Sequence, residues 1–187
     1  MNMEALQACC ADIDLLISMQ YFRLWGGPYG SDPEIIYRFL RERNVPLLTG
    51  LRAFETDLES WHTGSSGLSP IETVLGVTLP ELDGAIGPFF LGALEKIEGR
   101  GIGSVKRQAV VAERVQRFSA RVLKWLELRS RPIAQKKIAI ISYSYPAGEH
   151  SLAGAGYLDV FASLEALLHR IRERGYMIDI PEVGLKD

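Results

Sequence analysis

Glu81 and Asp83 stand two residues apart in Leu79-Pro80-Glu81-Leu82-Asp83-Gly84, the most concentrated chemistry in this sequence. Pro80 and the terminal turn pair read as an extended strand running into a loop. On extended backbone alternate side chains share a face, so the two carboxylates would meet at one spot. Such a pair accepts protons and holds a hard divalent cation through oxygen. The plainer arrangement, which the segment taken alone favours, has Glu81 pair with a neighbouring arginine and Asp83 make an Asx turn into Gly84.

Other reactive side chains are sparse. His62, His150 and His169 are scattered, without the i, i+4 spacing of a helical metal site. No Ser-His-Asp or Cys-His arrangement is readable, so hydrolysis by a nucleophilic side chain is unsupported. Cys9 and Cys10 are adjacent and are the only cysteines; two thiols cannot complete a zinc cage, and a reduced, cytoplasmic setting is expected. Two glycine loops carry the remaining candidates. The first, Gly26-Gly27-Pro28-Tyr29-Gly30, has Phe22, Trp25 and Tyr29 around it. The second, Pro146 to Gly156, contains His150 and is flanked by Tyr143, Tyr145 and Tyr157. Neither has dinucleotide or Walker spacing, so ATP binding by this chain is not expected. Aromatic rings around such loops can wall a pocket for a flat macrocycle or simply lid the end of a sheet. Gly26, Gly27, Tyr29, Tyr145, His150 and Tyr157 are therefore the candidate substrate-binding residues.

The elements needed to position these loops follow from periodicity. Ile13–Ser18 reads as a buried strand, and Asp32-Pro33-Glu34 as a helix start above the stripe Ile35, Ile36, Phe39 and Leu40. Asn44 is its stop and Val45–Thr49 the next strand, which makes a βαβ unit. Thr56 with Glu59, and Ser69-Pro70 with Glu72, match capping boxes of two short helices. Val111, Val115, Phe118, Val122 and Trp125 form one stripe of a long helix expected over residues 105–131, ended by Pro132. Lys137–Ser142, the helix bearing Tyr157, Phe161, Leu164, Leu168 and Ile171, and Tyr176–Ile180 read as a second βαβ unit. The expected fold is α/β with a mostly parallel sheet. The flexible joint Gly99–Gly103 divides it into an α/β lobe over 1–103 and a long helix plus βαβ unit over 104–187.

At 187 residues and 47% hydrophobic the chain can bury a real core. A net charge of −2 gives no overall pull toward nucleic acid, and no apolar run is long enough to span a bilayer. The charge is uneven: residues 104–137 carry ten basic and two acidic side chains, a local +8 that leaves −10 elsewhere. That stretch reads as a solvated helix face or as a docking surface for an acidic partner.

Several segments, in order, resemble the large, tetrapyrrole-binding (H-type) subunit of the magnesium chelatase and cobaltochelatase family. They are Phe22-Arg23-Leu24 with Gly26–Gly30, Val45-Pro46-Leu47, Trp61, Gly67-Leu68-Ser69-Pro70, Leu79–Ile86, Arg131-Pro132 before Lys137–Ile140, and Tyr145-Pro146 through Leu164 to Gly175-Tyr176. The likeness runs from about Asp12 to Glu182. The Glu-Leu-Asp-Gly-Ala-Ile stretch and the Tyr-Leu-Asp-Val-Phe helix lean toward the magnesium enzymes. Ala147-Gly148-Glu149-His150 departs from the family's more basic loop. Members are far longer, so the resemblance implies a segment of such a subunit or a shortened paralogue. It implies Mg2+ (Co2+ for a cobaltochelatase) as the metal inserted into protoporphyrin IX. It also implies ATP used only on separate AAA+ partner subunits, and contacts with the rest of the large subunit. Glu81 and Asp83 would be catalytic, with Glu81 also a ligand to the metal. A non-catalytic tetrapyrrole-binding or docking module is the alternative.

Overall fold

A computed structural model of the chain describes residues 3–24, 32–65, 67–98, 104–141 and 158–180. The chain divides by packing into two compact units, 1–129 and 130–187.

The first unit begins with a helix, α1 (Met3–Cys9), which the sequence pattern did not signal. The expected βαβ unit follows, with β1 (Leu16–Ser18), α2 (Pro33–Arg43) and β2 (Leu47–Asp57), the two strands pairing in parallel. The Asp32 side chain caps α2 by accepting from Glu34 N, and Pro33 occupies the first turn. Asn44 ends the helix in the left-handed region at φ 48°, a conformation that asparagine tolerates better than most residues. Ile36 and Phe39 are the buried part of its stripe.

After β2 come α3 (Leu58–Thr63), α4 (Pro70–Thr73), a π turn (Val74–Thr78), α5 (Leu79–Glu81) and β3 (Ile86–Glu98). β3 lies parallel to β2 and then pairs antiparallel with β4 (Ser104–Val110), giving a mixed four-stranded sheet in the order β1-β2-β3-β4. α6 (Ala112–Ser130) follows. Residues 105–110, expected as the first turns of this helix, are thus a strand. The β-branched Val105 and Val110 suit that strand, and all seven residues of β4 pair with β3. Gly92 is the closest approach in this pairing: a Cβ there would lie 2.1 Å from the Ala109 carbonyl oxygen. β3 was not legible because Gly87, Pro88 and Gly92 look like loop punctuation.

Adjacent β3 residues face opposite sides of the sheet, and each side has a core. Leu91 packs with Leu48 and Phe118, and Val115, Val122 and Trp125 of α6 join them, as their spacing requires. Phe90 packs with Ala53 and Ala93 beneath Leu58 and Trp61 of α3.

Among the described residues of the second unit, a 3-10 turn (Ile133–Gln135) and α7 (Val160–Glu173) are the regular elements. Asp159 caps α7 by accepting from Ala162 N at 3.0 Å, and Gly175 closes it at φ +92°. The expected strands at 137–142 and 176–180 form no ladder among the described residues. An apolar run becomes a strand only where another strand accepts its hydrogen bonds, and none does so here among the described residues, where Ile141 is 94% and Met177 81% exposed.

Candidate functional site

The Leu79–Gly84 segment is helical, not extended. Leu79 N donates to Val74 O, the five-residue spacing of a π turn. Pro80 then sits in the first turn of α5, where its missing N–H costs nothing. Residues two apart on such a turn point in different directions, so Glu81 and Asp83 do not form the expected shared face.

Their environments are opposite. Asp83 is 3% exposed. Its Oδ1 accepts from Arg23 Nε at 2.8 Å and Arg23 Nη2 at 2.5 Å, and its Oδ2 from Leu24 N at 2.7 Å. Arg23 Nη2 also donates to Tyr37 Oη at 3.1 Å. The hydrogen bond to Asp83 raises the pKa of Arg23 further. An aspartate held by three donors is a clamp, and this one fixes the chain leaving β1 just before the first glycine loop. The arginine partner that the sequence suggested for Glu81 therefore belongs to Asp83. Glu81 itself is exposed. Gly84, at φ +88°, donates its N–H to the Glu81 carbonyl and turns the chain into β3.

Glu72 is a second buried carboxylate, which sequence reasoning placed in a capping box but not in the core. The box is present, with Glu72 N donating to Ser69 Oγ and Ser69 N to Glu72 Oε2. Between Arg52 and Asp57, β2 advances five residues while β3 advances two. Phe54, Glu55 and Thr56 lie in that bulge, and all three donate their N–H groups to Glu72 Oε1, at 2.6, 2.7 and 3.2 Å. Thr56 Oγ1 adds a bond to Oε2 at 2.8 Å. Burial alone would raise the carboxyl pKa, but the hydrogen bonds from Glu55, Ser69 and Thr56 outweigh it and hold the value at about 2. Thr56 is thus engaged with Glu72, and the cap of α3 is Asp57, which accepts from Ser60 N.

Tyr21 packs edge-on against Phe54, with ring centroids 4.9 Å apart, and donates its hydroxyl to the Arg52 carbonyl. Burial, reinforced by the Glu72 charge and opposed by Arg52, pushes its pKa up to about 12. Gly76 in the π turn makes room for this ring, since a Cβ there would lie 2.8 Å from Tyr21 Cε1. Phe22 N donates to Leu75 O, so the stretch Tyr21–Leu24 is fastened to the π turn and to Asp83 together.

His62 is exposed and packs edge-on against Trp61, which stacks on Phe90. His169 is exposed beside Arg172 on α7. Gly26, Gly27, Tyr29, Tyr145, His150 and Tyr157 lie outside the described residues, as do Trp25 and Tyr143. Among the described residues no three His, Cys, Asp or Glu side chains converge on a metal position, and no helix is long and apolar enough to cross a membrane. Some of the basic charge near α6 serves the fold. Arg114 and Arg121 lie 4.3 and 5.8 Å from the centre of the Phe89 ring, and Arg129 bonds Asp14 and the Asn44 carbonyl.

The sequence matches the CobN/Magnesium Chelatase family over residues 2–186, and the chain belongs to that family. It is 35% identical over 180 residues to the H-type subunit of magnesium chelatase from Chlorobaculum parvum, covering 93% of this chain and 13% of that protein. The corresponding H-type subunit from Cereibacter sphaeroides is 30% identical over 181 residues, covering 91% of this chain and 15% of that protein. The catalytic subunit of cobaltochelatase from Mycobacterium tuberculosis superimposes with a TM-score of 0.74 at 25% identity, over 95% of this chain and 15% of that one. The chain thus spans only 13–15% of the length of these relatives.

Proposed function

We infer that this chain is a working part of the tetrapyrrole-binding subunit of a metal chelatase, one that inserts Mg2+ into protoporphyrin IX. Inserting a divalent ion into a porphyrin ring releases two pyrrole N–H protons. The ion must also shed water that Mg2+ yields reluctantly. One exposed carboxylate beside the ring can serve in turn, as oxygen ligand to the incoming ion and as a base that takes each N–H proton and hands it on to water. Glu81 is that group, and its exposure beside the clamped Asp83 is the observation that carries the reading. Asp83 acts as a positioning residue through Arg23 and Leu24. The metal is substrate, and Glu81 contributes one ligand to it.

ATP is hydrolysed on AAA+ partner subunits, and the basic region around β4 and α6 offers them a docking face. Gly26, Gly27, Tyr29, Tyr145, His150 and Tyr157 remain the proposed ring contacts on the two glycine loops. The setting is cytoplasmic. A cobaltochelatase is the second reading, favoured by the likeness to the Mycobacterium tuberculosis protein.

The test is Glu81→Gln in the complete subunit, reconstituted with its ATPase partners and supplied with Mg2+ or Co2+. Turnover should fall about 100-fold, with porphyrin affinity kept. Full turnover in the variant would remove Glu81 from the chemistry, and the metal that supports insertion by the unaltered protein decides between the two readings.

A further inference from the structure

β4 is the last strand of the sheet, and among the described residues nothing pairs with its outer edge. It faces β3 in one unbroken register, from Ser104 opposite Glu98 to Val110 opposite Gly92, without a bulge or a proline. Val111 N donates to Leu91 O, which makes Leu91 and Val111 a hydrogen-bonded pair. Such pairs alternate with non-bonded ones along an antiparallel ladder. The N–H groups of Val105 and Arg107 therefore point into the ladder, and those of Lys106 and Gln108 point outward. A regular row of open donors and acceptors is the template on which a further strand adds.

Part of this edge belongs to a bare ribbon. The pairing of β2 with β3 ends at Asp57 opposite Leu94, so among the described residues Glu95–Glu98 pair with Ser104–Arg107 alone. A two-stranded ribbon is marginal by itself, and a third strand steadies it. This ribbon is also charged against itself. Lys96 stands directly opposite Lys106, both exposed, and like charges so placed destabilise a sheet. Asp57 lies near enough to feel both lysines, but it is one charge against two and is committed to the Ser60 N–H.

These features select the strand that fits. Neighbouring residues lie on opposite faces of a strand, so Lys106 and Arg107 offer one cation to each face of an incoming segment. Arg107 already bonds Glu95 at 2.9 Å, yet its side chain stays 63% exposed. Val105 and Val110, 61% and 69% exposed, stand toward the two ends of the row. The complement is an extended segment, acidic at two neighbouring positions and apolar on either side. A second copy does not meet this need, because two β4 edges paired antiparallel over their full length set Arg107 against Arg107. A permanent cover does not meet it either. An edge buried for good within one polypeptide needs no charged guard, whereas lysine keeps an edge from wrong partners while it faces water.

We propose that the outer edge of β4 is where the ATPase partners dock, an acidic extended segment of theirs adding as a fifth strand; this rests on the chelatase reading and gives the basic region named there a defined contact. The complete subunit is titrated with its ATPase partners, and backbone hydrogen exchange is followed at Lys106 and Gln108. Both amides should exchange freely in the subunit alone and about tenfold more slowly, or slower still, in the complex. Lys106→Gln removes the charge but keeps the N–H, and should weaken association several-fold, with a smaller effect at high salt. Lys106→Pro also removes the outward N–H, at a position where an edge strand tolerates proline. It should weaken association about tenfold beyond Lys106→Gln, the scale of one lost hydrogen bond. Protection retained at Arg107 N–H shows that the ladder with β3 survives the proline. Lys106→Glu keeps the N–H and reverses the charge, so it should weaken association more than Lys106→Gln even if proline disturbs β4.

Equal affinities in Lys106→Gln and Lys106→Pro, with the ladder intact, would overturn strand addition. Unchanged affinity in Lys106→Glu would overturn the docking edge. Protection of Lys106 and Gln108 before the partners are added would do the same, since the rest of the subunit would then cover the edge. The chelatase reading is decided by a different result, metal insertion by the unaltered subunit with its partners. Insertion and association that ignore all three variants leave that reading standing without the edge; no insertion at all removes the two together.

Discussion

Replacing Glu72 with glutamine tests the buried carboxylate that holds the β2 bulge. The isolated effect can be sized from the proton affinity: a drop from an ordinary 4.5 to about 2, at 1.36 kcal/mol per unit, is about 3 kcal/mol in favour of the folded form. The folded pKa lies below the unfolded one, so this contribution is complete above about pH 4.5 and is lost as pH falls toward 2. Glutamine keeps one acceptor oxygen but turns an amide toward Ser69 N–H, donor against donor, and removes the charge from three backbone N–H groups. Glu72→Gln should therefore be about 3 kcal/mol less stable at pH 7. The gap between the two proteins should close as the pH falls from 4.5 to 2. All three tryptophans precede Arg129, so urea unfolding followed by tryptophan fluorescence reads the first unit alone. The measurement is made on both proteins at pH 7, 5 and 3. A gap below about 1 kcal/mol at pH 7, or one that stays constant with pH, would refute the assignment.

Asp83→Asn leaves Arg23 without its charged partner and should cost about 3 kcal/mol or more in the same assay; a double-mutant cycle with Arg23→Gln should show strong coupling, and simple additivity would count against the clamp. Trp125→Ala should destabilise by about 2–4 kcal/mol, because the ring packs on the Leu48–Leu91–Phe118 cluster. Arg121→Ala, which loses only a contact with Phe89, should cost about 1 kcal/mol or less; equal effects would mean the helix faces are wrongly assigned. Gly92→Ala should break the β3–β4 ladder, seen as lost hydrogen-exchange protection at Ala109, since the new methyl meets backbone that cannot yield.

Local signals in the sequence determined the elements that need no distant partner. Asp32-Pro33 starts α2 and Asn44 stops it, Ser69 and Glu72 form their box, and the four-and-three spacing from Val115 to Trp125 faces the core. A cap or a stripe is decided within one or two turns of chain, so it can be read from sequence. Tertiary structure decided the rest. Residues 105–110 became a strand because β3 lay beside them, while 137–141, the more apolar stretch, gained no ladder among the described residues. Backbone pairing is a property of two segments, and one sequence window shows only half of it. The two carboxylates of Leu79–Gly84 were visible as a pair, but their roles were not. Asp83 is buried because Arg23, sixty residues earlier, reaches it, and Glu81 stays exposed because the turn through Pro80 is helical. Glu72 likewise drew its importance from a strand bulge eighteen residues away in sequence. Where a charge ends up depends on which donors the fold delivers to it, and that delivery is settled only when the whole chain has packed.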